Sequence, residues 1–133
     1  MRKAVAFILV RDGSFLVERR SQAKELDPGT LAIPGGHVEE GEGPEETLRR
    51  EMDEELGVAP LAFAPVSVQV HESLYPIEIR YYLVTSWEGE VEAREAEELS
   101  WLPLREWDRL DLAADRAAIV DCMDRMADRT SGA

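Results

Sequence analysis

The sequence predicts an α/β sandwich, and three observations carry that prediction. Residues 4–10, Ala-Val-Ala-Phe-Ile-Leu-Val, form an unbroken apolar run of strand length. Two segments, 44–56 and 113–127, place apolar residues at helical spacing between end signals. Further β-rich runs lie on both sides of the first helix, and strands interrupted by two helices fold as a sheet between them. A chain of 133 residues, 44% of them apolar, suits a single domain over residues 1–133 with one core.

Taken in order, the first strand ends at Arg11-Asp12-Gly13, and Asp12-Gly13 reads as a hairpin turn into Phe15-Leu16-Val17. Arg19 to Thr30 is polar and holds Pro28-Gly29, which predicts a loop. Thr30 to Ile33 is a short strand that stops at Pro34-Gly35-Gly36, where two glycines would permit backbone angles closed to other residues. The first helix has Gly43 as its cap, Pro44 in its first turn, Glu45 and Glu46 at the positive end of its dipole, and Gly57 just past its end. Residues 61–71 and 74–85 read as two strands, with Pro76 at an edge or a start, and Leu99 to Leu102 as a shorter one. In the second helix Ile119, Cys122, Met123 and Met126 share an apolar face.

Charge and composition exclude several functions. A net charge of −13 does not suit a nucleic-acid polymer, which wants a basic face. No apolar run approaches the length of a membrane span, and the seven-residue N-terminal run lacks a signal-peptide pattern. A single cysteine, Cys122, excludes an internal disulfide framework. A soluble cytoplasmic protein, monomer or homodimer, is the expectation that follows.

The stretch Arg50-Glu51-Met52-Asp53-Glu54-Glu55-Leu56-Gly57 crowds like charge into the first helix. At about 100° per residue, Leu48, Met52 and Leu56 make the buried stripe, and Glu51, Glu54 and Glu55 share an arc of about 100° directly beside it. Carboxylates at the rim of a core repel more strongly than in water, and like charges three and four residues apart destabilise a bare helix. A divalent cation reverses that sign, and oxygen ligands without a Cys or His cluster suit Mg²⁺ or Mn²⁺. A merely solvated face is the alternative, because glutamate is 19 of the 133 residues.

Reading outward from this helix gives Gly36, five residues, Glu42, seven residues, then Arg50 through Val58. This pattern resembles the signature box of the Nudix hydrolases at every fixed position, and Ile33-Pro34-Gly35 ahead of it also looks like that family. The likeness is strongest to MutT-type nucleoside triphosphate pyrophosphohydrolases. It implies an α/β/α sandwich with a mixed central sheet, and hydrolysis of a nucleoside diphosphate linked to a further group. It also implies that Glu51, Glu54, Glu55 and the Gly35 carbonyl bind metal, that Arg50 orients a glutamate, and that Glu42 holds the loop against the helix. A further acidic ligand would come from a later loop, where Glu95 matches best and Glu97 and Glu98 are rivals. The base that activates water would be Glu54 or Glu51, and bound Mg²⁺, or Mn²⁺ in its place, would reconcile an acidic protein with an anionic substrate.

Candidate substrate-binding residues are Arg20, Ala32, Tyr75 and Asp115. Arg20 lies near the nucleotide in MutT-like proteins, and either contacts phosphate or pairs with Glu18 or Glu25. Asp115 matches the MutT position that reads the base, where its carboxylate would accept from an exocyclic amine or ring N–H; alternatively it caps the second helix. Tyr75, Tyr81 and Tyr82 either stack on a base or, as alternating strand aromatics, belong to the core; His37 reads as a loop residue, and His71 as a strand end or, alternatively, a catalytic residue. Three functions are carried forward: a Mg²⁺-dependent nucleoside triphosphate pyrophosphohydrolase, an enzyme for ADP-ribose or another nucleoside diphosphate derivative, and a non-catalytic nucleotide-binding module.

Overall fold

The computed structural model describes residues 1–131. In chain order it contains β1 (Arg2–Arg11), β2 (Ser14–Arg19), β3 (Leu31–Ala32), β4 (Gly35–His37), α1 (Pro44–Leu56), β5 (Ala59–Glu72), β6 (Pro76–Glu88), β7 (Glu98–Pro103), a 3-10 turn (Leu104–Arg109) and α2 (Ala113–Ser131). Strands run in the order β3-β2-β1-β6-β5, with β4 also paired to β1 and β7 to β2. The β1–β6 ladder is parallel and the others are antiparallel, so the sheet is mixed as expected.

Strand β1 explains its own apolar run. Ala6 and Ile8 enter one core beside Ala118, Ile119 and Cys122 of α2, while Val5, Phe7 and Leu9 enter a second core beside Leu48, Met52 and Leu56 of α1. Side chains alternate across a strand, so a strand covered on both faces must be apolar at every position. The Asp12-Gly13 turn has φ of 51° and 76°, the left-handed pair whose twist matches a two-residue hairpin.

Helix α1 keeps the predicted bounds. Glu46 accepts the Gly43 N–H at 3.1 Å, and Gly57 closes the helix at φ 73° with its N–H on the Asp53 carbonyl. On the second helix Ile119 and Cys122 are buried, and Met123 and Met126 pack partly against the same core. Trp107 is partly buried there too, while the exposed Trp101 stacks on Trp87 at 6.1 Å.

Four expectations change, the first being the single core, which the sheet divides into one cluster under each helix. The segment after Pro34 is a strand, β4, paired with Ala4–Ala6, so His37 lies on a strand and not in a loop. Neither Gly35 nor Gly36 has a positive φ. Space demands them: a Cβ on Gly35 would overlap the Val5 carbonyl and come within 2.9 Å of the Ala6 Cα. The short strand ahead of them is only Leu31–Ala32, because Ile33 spends its N–H on Asp115 at 3.0 Å.

Leu48 is fully buried beneath α1. Its replacement, Leu48→Ala, is expected to cost about 2–5 kcal/mol of stability, read from the shift in urea midpoint at constant m.

Candidate functional site

The stripe Leu48-Met52-Leu56 is buried, and this orientation brings the carboxylates of the next arc to the rim of the core. Glu51 and Glu55 are buried, whereas the Glu54 side chain is 47% exposed. Arg50 organises the first of these groups. Its Nε and Nη2 donate to the two Glu42 oxygens at 2.7 and 2.9 Å, a bidentate grip on the loop before the helix. Its Nη1 donates to Glu51 at 2.7 Å and to Glu54 at 3.2 Å, and its Nη2 also reaches the His37 carbonyl at 3.0 Å. The guanidinium draws the Glu42 carboxyl down to about 2. Burial holds Glu51 above the usual carboxylate range, against the pull of Arg50. Gly36 faces this pinned carboxylate so closely that a Cβ there would overlap it.

A second group gathers one turn further along. Burial, then the charges of Glu18 and Glu95, push the Glu55 carboxyl up. Lys24 donates to Glu95 at 3.0 Å and holds that carboxyl below its ordinary value. Behind them lies Glu18, buried on β2 and pushed up to about 7 by desolvation.

Both groups open onto a cavity of about 320 Å³. Gly35, Glu51, Glu54, Glu55 and Glu95 line it, as do Arg20, Ala32 and Asp115. Of the three downstream rivals only Glu95 reaches it; the Glu97 N–H bonds the Arg19 carbonyl, and Glu98 sits in β7 opposite Arg19. Tyr75 is not brought in, since its ring lies under the Arg2 guanidinium at 4.2 Å and its hydroxyl accepts from Arg2 at 3.3 Å. Tyr81 and Tyr82 are buried core residues. Arg20 lines the cavity, stands 3.7 Å from Glu18, and donates to the Leu26 carbonyl at 3.0 Å.

Asp115 is not a helix cap. It lies inside α2 and is buried, accepting from the Ile33 N–H at 3.0 Å and the Tyr81 hydroxyl at 2.7 Å. Burial pushes its carboxyl up to about 6 despite these bonds. His71 ends β5 as expected, and its Nε2 meets Asp27 at 2.9 Å while the Ser73 hydroxyl donates to the same carboxylate at 3.1 Å. The loop predicted over Arg19 to Thr30 starts one residue later, since Arg19 ends β2, and is thereby tied to the β5–β6 hairpin.

The NUDIX domain model matches residues 1–122. The chain belongs to the Nudix family. It is 32% identical over 104 residues to an 8-oxo-dGTP diphosphatase of Escherichia coli, covering 76% of this chain and 78% of that protein. A MutT Nudix hydrolase structure from Burkholderia pseudomallei superposes with a TM-score of 0.79 at 30% identity, covering 90% of this chain and 96% of the other. The match to an uncharacterised Nudix hydrolase of Yersinia pestis is 45% identical over 67 residues, but spans only 37% of that protein. Membership and likeness place this Nudix chain among hydrolases, MutT-like in sequence and in its α/β sandwich.

The donor set of this Nudix site fits a divalent cation. Its side-chain donors are hard carboxylate oxygens, several are desolvated and mutually repelling, and Gly36 leaves room only for the Glu51 carboxylate. Among the described residues no three Asp, Glu, His or Cys side chains converge on one point. Two protein cations account for this, since Arg50 engages Glu51 and Glu54 while Lys24 engages Glu95.

Glu18, buried behind the cavity-lining carboxylates, was weighed in the sequence only as a partner for Arg20. A signal was present: Glu18 follows Leu16 by two in a strand, which puts a carboxylate on an inward face.

Gly36→Ala is expected to displace Glu51 from Arg50 and lower hydrolysis at least tenfold, with a circular dichroism spectrum like that of the wild type. For Asp115, the folded carboxyl near 6 exceeds its unfolded value of 3.8, so the folded chain keeps a proton the unfolded chain has lost. Its contribution to stability therefore falls as pH rises from about 4 to 6 and is flat above. Urea titrations of wild type and Asp115→Asn should show this as a wild-type loss across that window that the variant lacks.

Proposed function

We propose that this protein is a Mg²⁺-dependent pyrophosphohydrolase. It cleaves nucleoside triphosphates, oxidised or modified deoxynucleotides among them, to the monophosphate and pyrophosphate. One observation carries this reading: a single cavity joins two chemistries. One part of its lining presents Glu51, Glu54, Glu55 and Glu95 with the cations Arg20 and Lys24, and another is apolar, with Ala32, Ile77, Ile79 and Leu112, beside the polar Asp27, His37, His71 and Asp115. A nucleotide has the same division, a polyanionic tail and a flat base, and the volume is of ligand-pocket size. The E. coli relative bearing the name 8-oxo-dGTP diphosphatase supports the substrate class.

Glu51, Glu54, Glu55, Glu95 and the Gly35 carbonyl would hold the metal. When bound, the cation neutralises phosphate oxygens and raises the acidity of water. The chain's own groups supply the rest. A water oxygen bonds to phosphorus, the anhydride bond between the α and β phosphates breaks, and pyrophosphate leaves. Glu54 takes the proton from that water: its side chain is half exposed and only loosely held by Arg50 at 3.2 Å, whereas Glu51 is pinned at 2.7 Å. Arg20 binds a phosphate oxygen, and Arg50 positions the box glutamates without touching substrate. Asp115 offers acceptor oxygens for a base amine or ring N–H.

The test is direct chromatographic product analysis, which needs no metal-dependent coupling enzyme, over NTPs, oxidised dNTPs, ADP-ribose and dinucleoside polyphosphates. Triphosphates should turn over with Mg²⁺ and not with EDTA. Turnover confined to ADP-ribose would overturn the substrate class, and none on any compound would overturn the enzyme. Glu54→Gln and Glu55→Gln should each lower turnover by roughly a hundredfold or more with unchanged thermal midpoints. Wild-type rates in both would remove the proposed site.

A further inference from the structure

We infer that Glu18 is a further cation ligand of this site, forming with Glu55 and Glu95 a divalent-cation position whose place is taken in this structure by the Lys24 ammonium. The inference rests on the metal-dependent reading above and adds a residue that lies outside the Nudix box.

Glu18 sits on β2 between Ala32 of β3 and Leu99 of β7, so its backbone is fixed from both sides. It follows Leu16, which packs in the core under α1, and side chains two apart on a strand share a face. The carboxylate therefore points to the α1 side of the sheet, where Glu55 lies. Glu18 is only 3% exposed. One of its oxygens stands 3.7 Å from Arg20, and the other, Oε2, is buried with no hydrogen-bond partner.

A buried carboxylate oxygen left unpaired is costly, and a structural role gives no reason to keep it. A ligand role does. Glu18 is the strongest neighbouring charge on Glu55, Glu95 is the next, and Glu95 holds Lys24 at 3.0 Å. Lys24 in turn feels both Glu55 and Glu95, and Glu18 feels Lys24. Glu95 thus holds the ammonium directly, on a flexible stem from the 20–30 loop, while Glu55 and Glu18 stand within its electrostatic reach. Glu51 and Glu54 form a separate group because Arg50 engages them. An ammonium donates three hydrogen bonds and one charge, whereas Mg²⁺ or Mn²⁺ brings two charges and accepts six oxygens, some of them water. Glu18 then binds either directly or through one such water.

Binding of Mn²⁺, followed by the electron paramagnetic resonance of the free ion, tests this on the intact protein, with the Mn²⁺-induced rise in thermal midpoint as a second readout. Glu18→Gln should weaken one class of site at least tenfold and shrink the thermal rise, leaving the remaining uptake in place. Lys24→Met, which removes the competing ammonium, should tighten the same class at least threefold. If Glu18→Gln binds Mn²⁺ as the wild type does and keeps the full thermal rise, Glu18 is no ligand, while the reading of the box survives. No Mn²⁺ uptake by the wild type, even with a non-hydrolysable nucleotide, defeats that reading and this inference together. Should Glu18→Gln fail to fold, Lys24→Met decides alone, and unchanged or weaker binding in it overturns the inference.

Discussion

A single guanidinium holds the site in shape. Arg50 bonds the loop through Glu42, the helix through Glu51 and Glu54, and strand β4 through the His37 carbonyl. A planar fork with five donors can satisfy all four partners at once, and a lysine ammonium cannot. Remove it and the α1 carboxylates lose the charge that offsets their repulsion, while the loop from Val38 to Gly43 keeps the weaker, neutral Thr47 bond to Glu42 and the Glu46 cap.

Around that anchor the protein carries acid where acid is unfavourable. Leu48, Met52 and Leu56 set the rotation of α1 by burying themselves, and that rotation drags Glu51 and Glu55 out of water. Desolvation is the first cause of the upward shift at Glu18, Glu51 and Glu55 alike. Arg50 relieves one group and Lys24 the other, each with a monovalent charge. A molecule of net charge −13 can approach a polyphosphate only if more positive charge enters with it. The strain among the carboxylates and the affinity for a cation are therefore the same physical quantity seen from two sides.

The far wall is built by different bonds. Asp115 joins α2 to the Ile33 backbone and to Tyr81 of β6, which fixes the stretch leading into β4 against the sheet. Asp27, at φ 49°, ties the 20–30 loop to His71 and Ser73, and Arg20 braces the same loop through the Leu26 carbonyl. The loop that supplies Arg20 and Lys24 is thus held over the cavity by polar contacts and not by a core of its own. Such contacts can open at lower cost than packed strands, which suits a segment that must admit a substrate.

Much was legible beforehand because it depends on local rules. Periodicity placed both helices and their apolar faces, Asp12-Gly13 announced its hairpin, and the glutamate arc beside Leu48, Met52 and Leu56 followed from helix geometry alone. The spacing of Gly36, Glu42 and Arg50 through Val58 was enough to point to the family. What the chain alone could not reveal depends on contacts between distant segments. Strand β4 exists because Ala4–Ala6 pairs with it, and Gly36 is required because Glu51, fifteen residues later, occupies its side-chain space. Glu95 was separated from Glu97 and Glu98 only by which of them reaches the cavity, Tyr75 was drawn away by Arg2, and Glu18 became a buried carboxylate only once β2 was enclosed by β3, β7 and α1. Sequence determined which residues could share a face; burial and charge, which only the assembled sheet and helices create, decided what those faces meet.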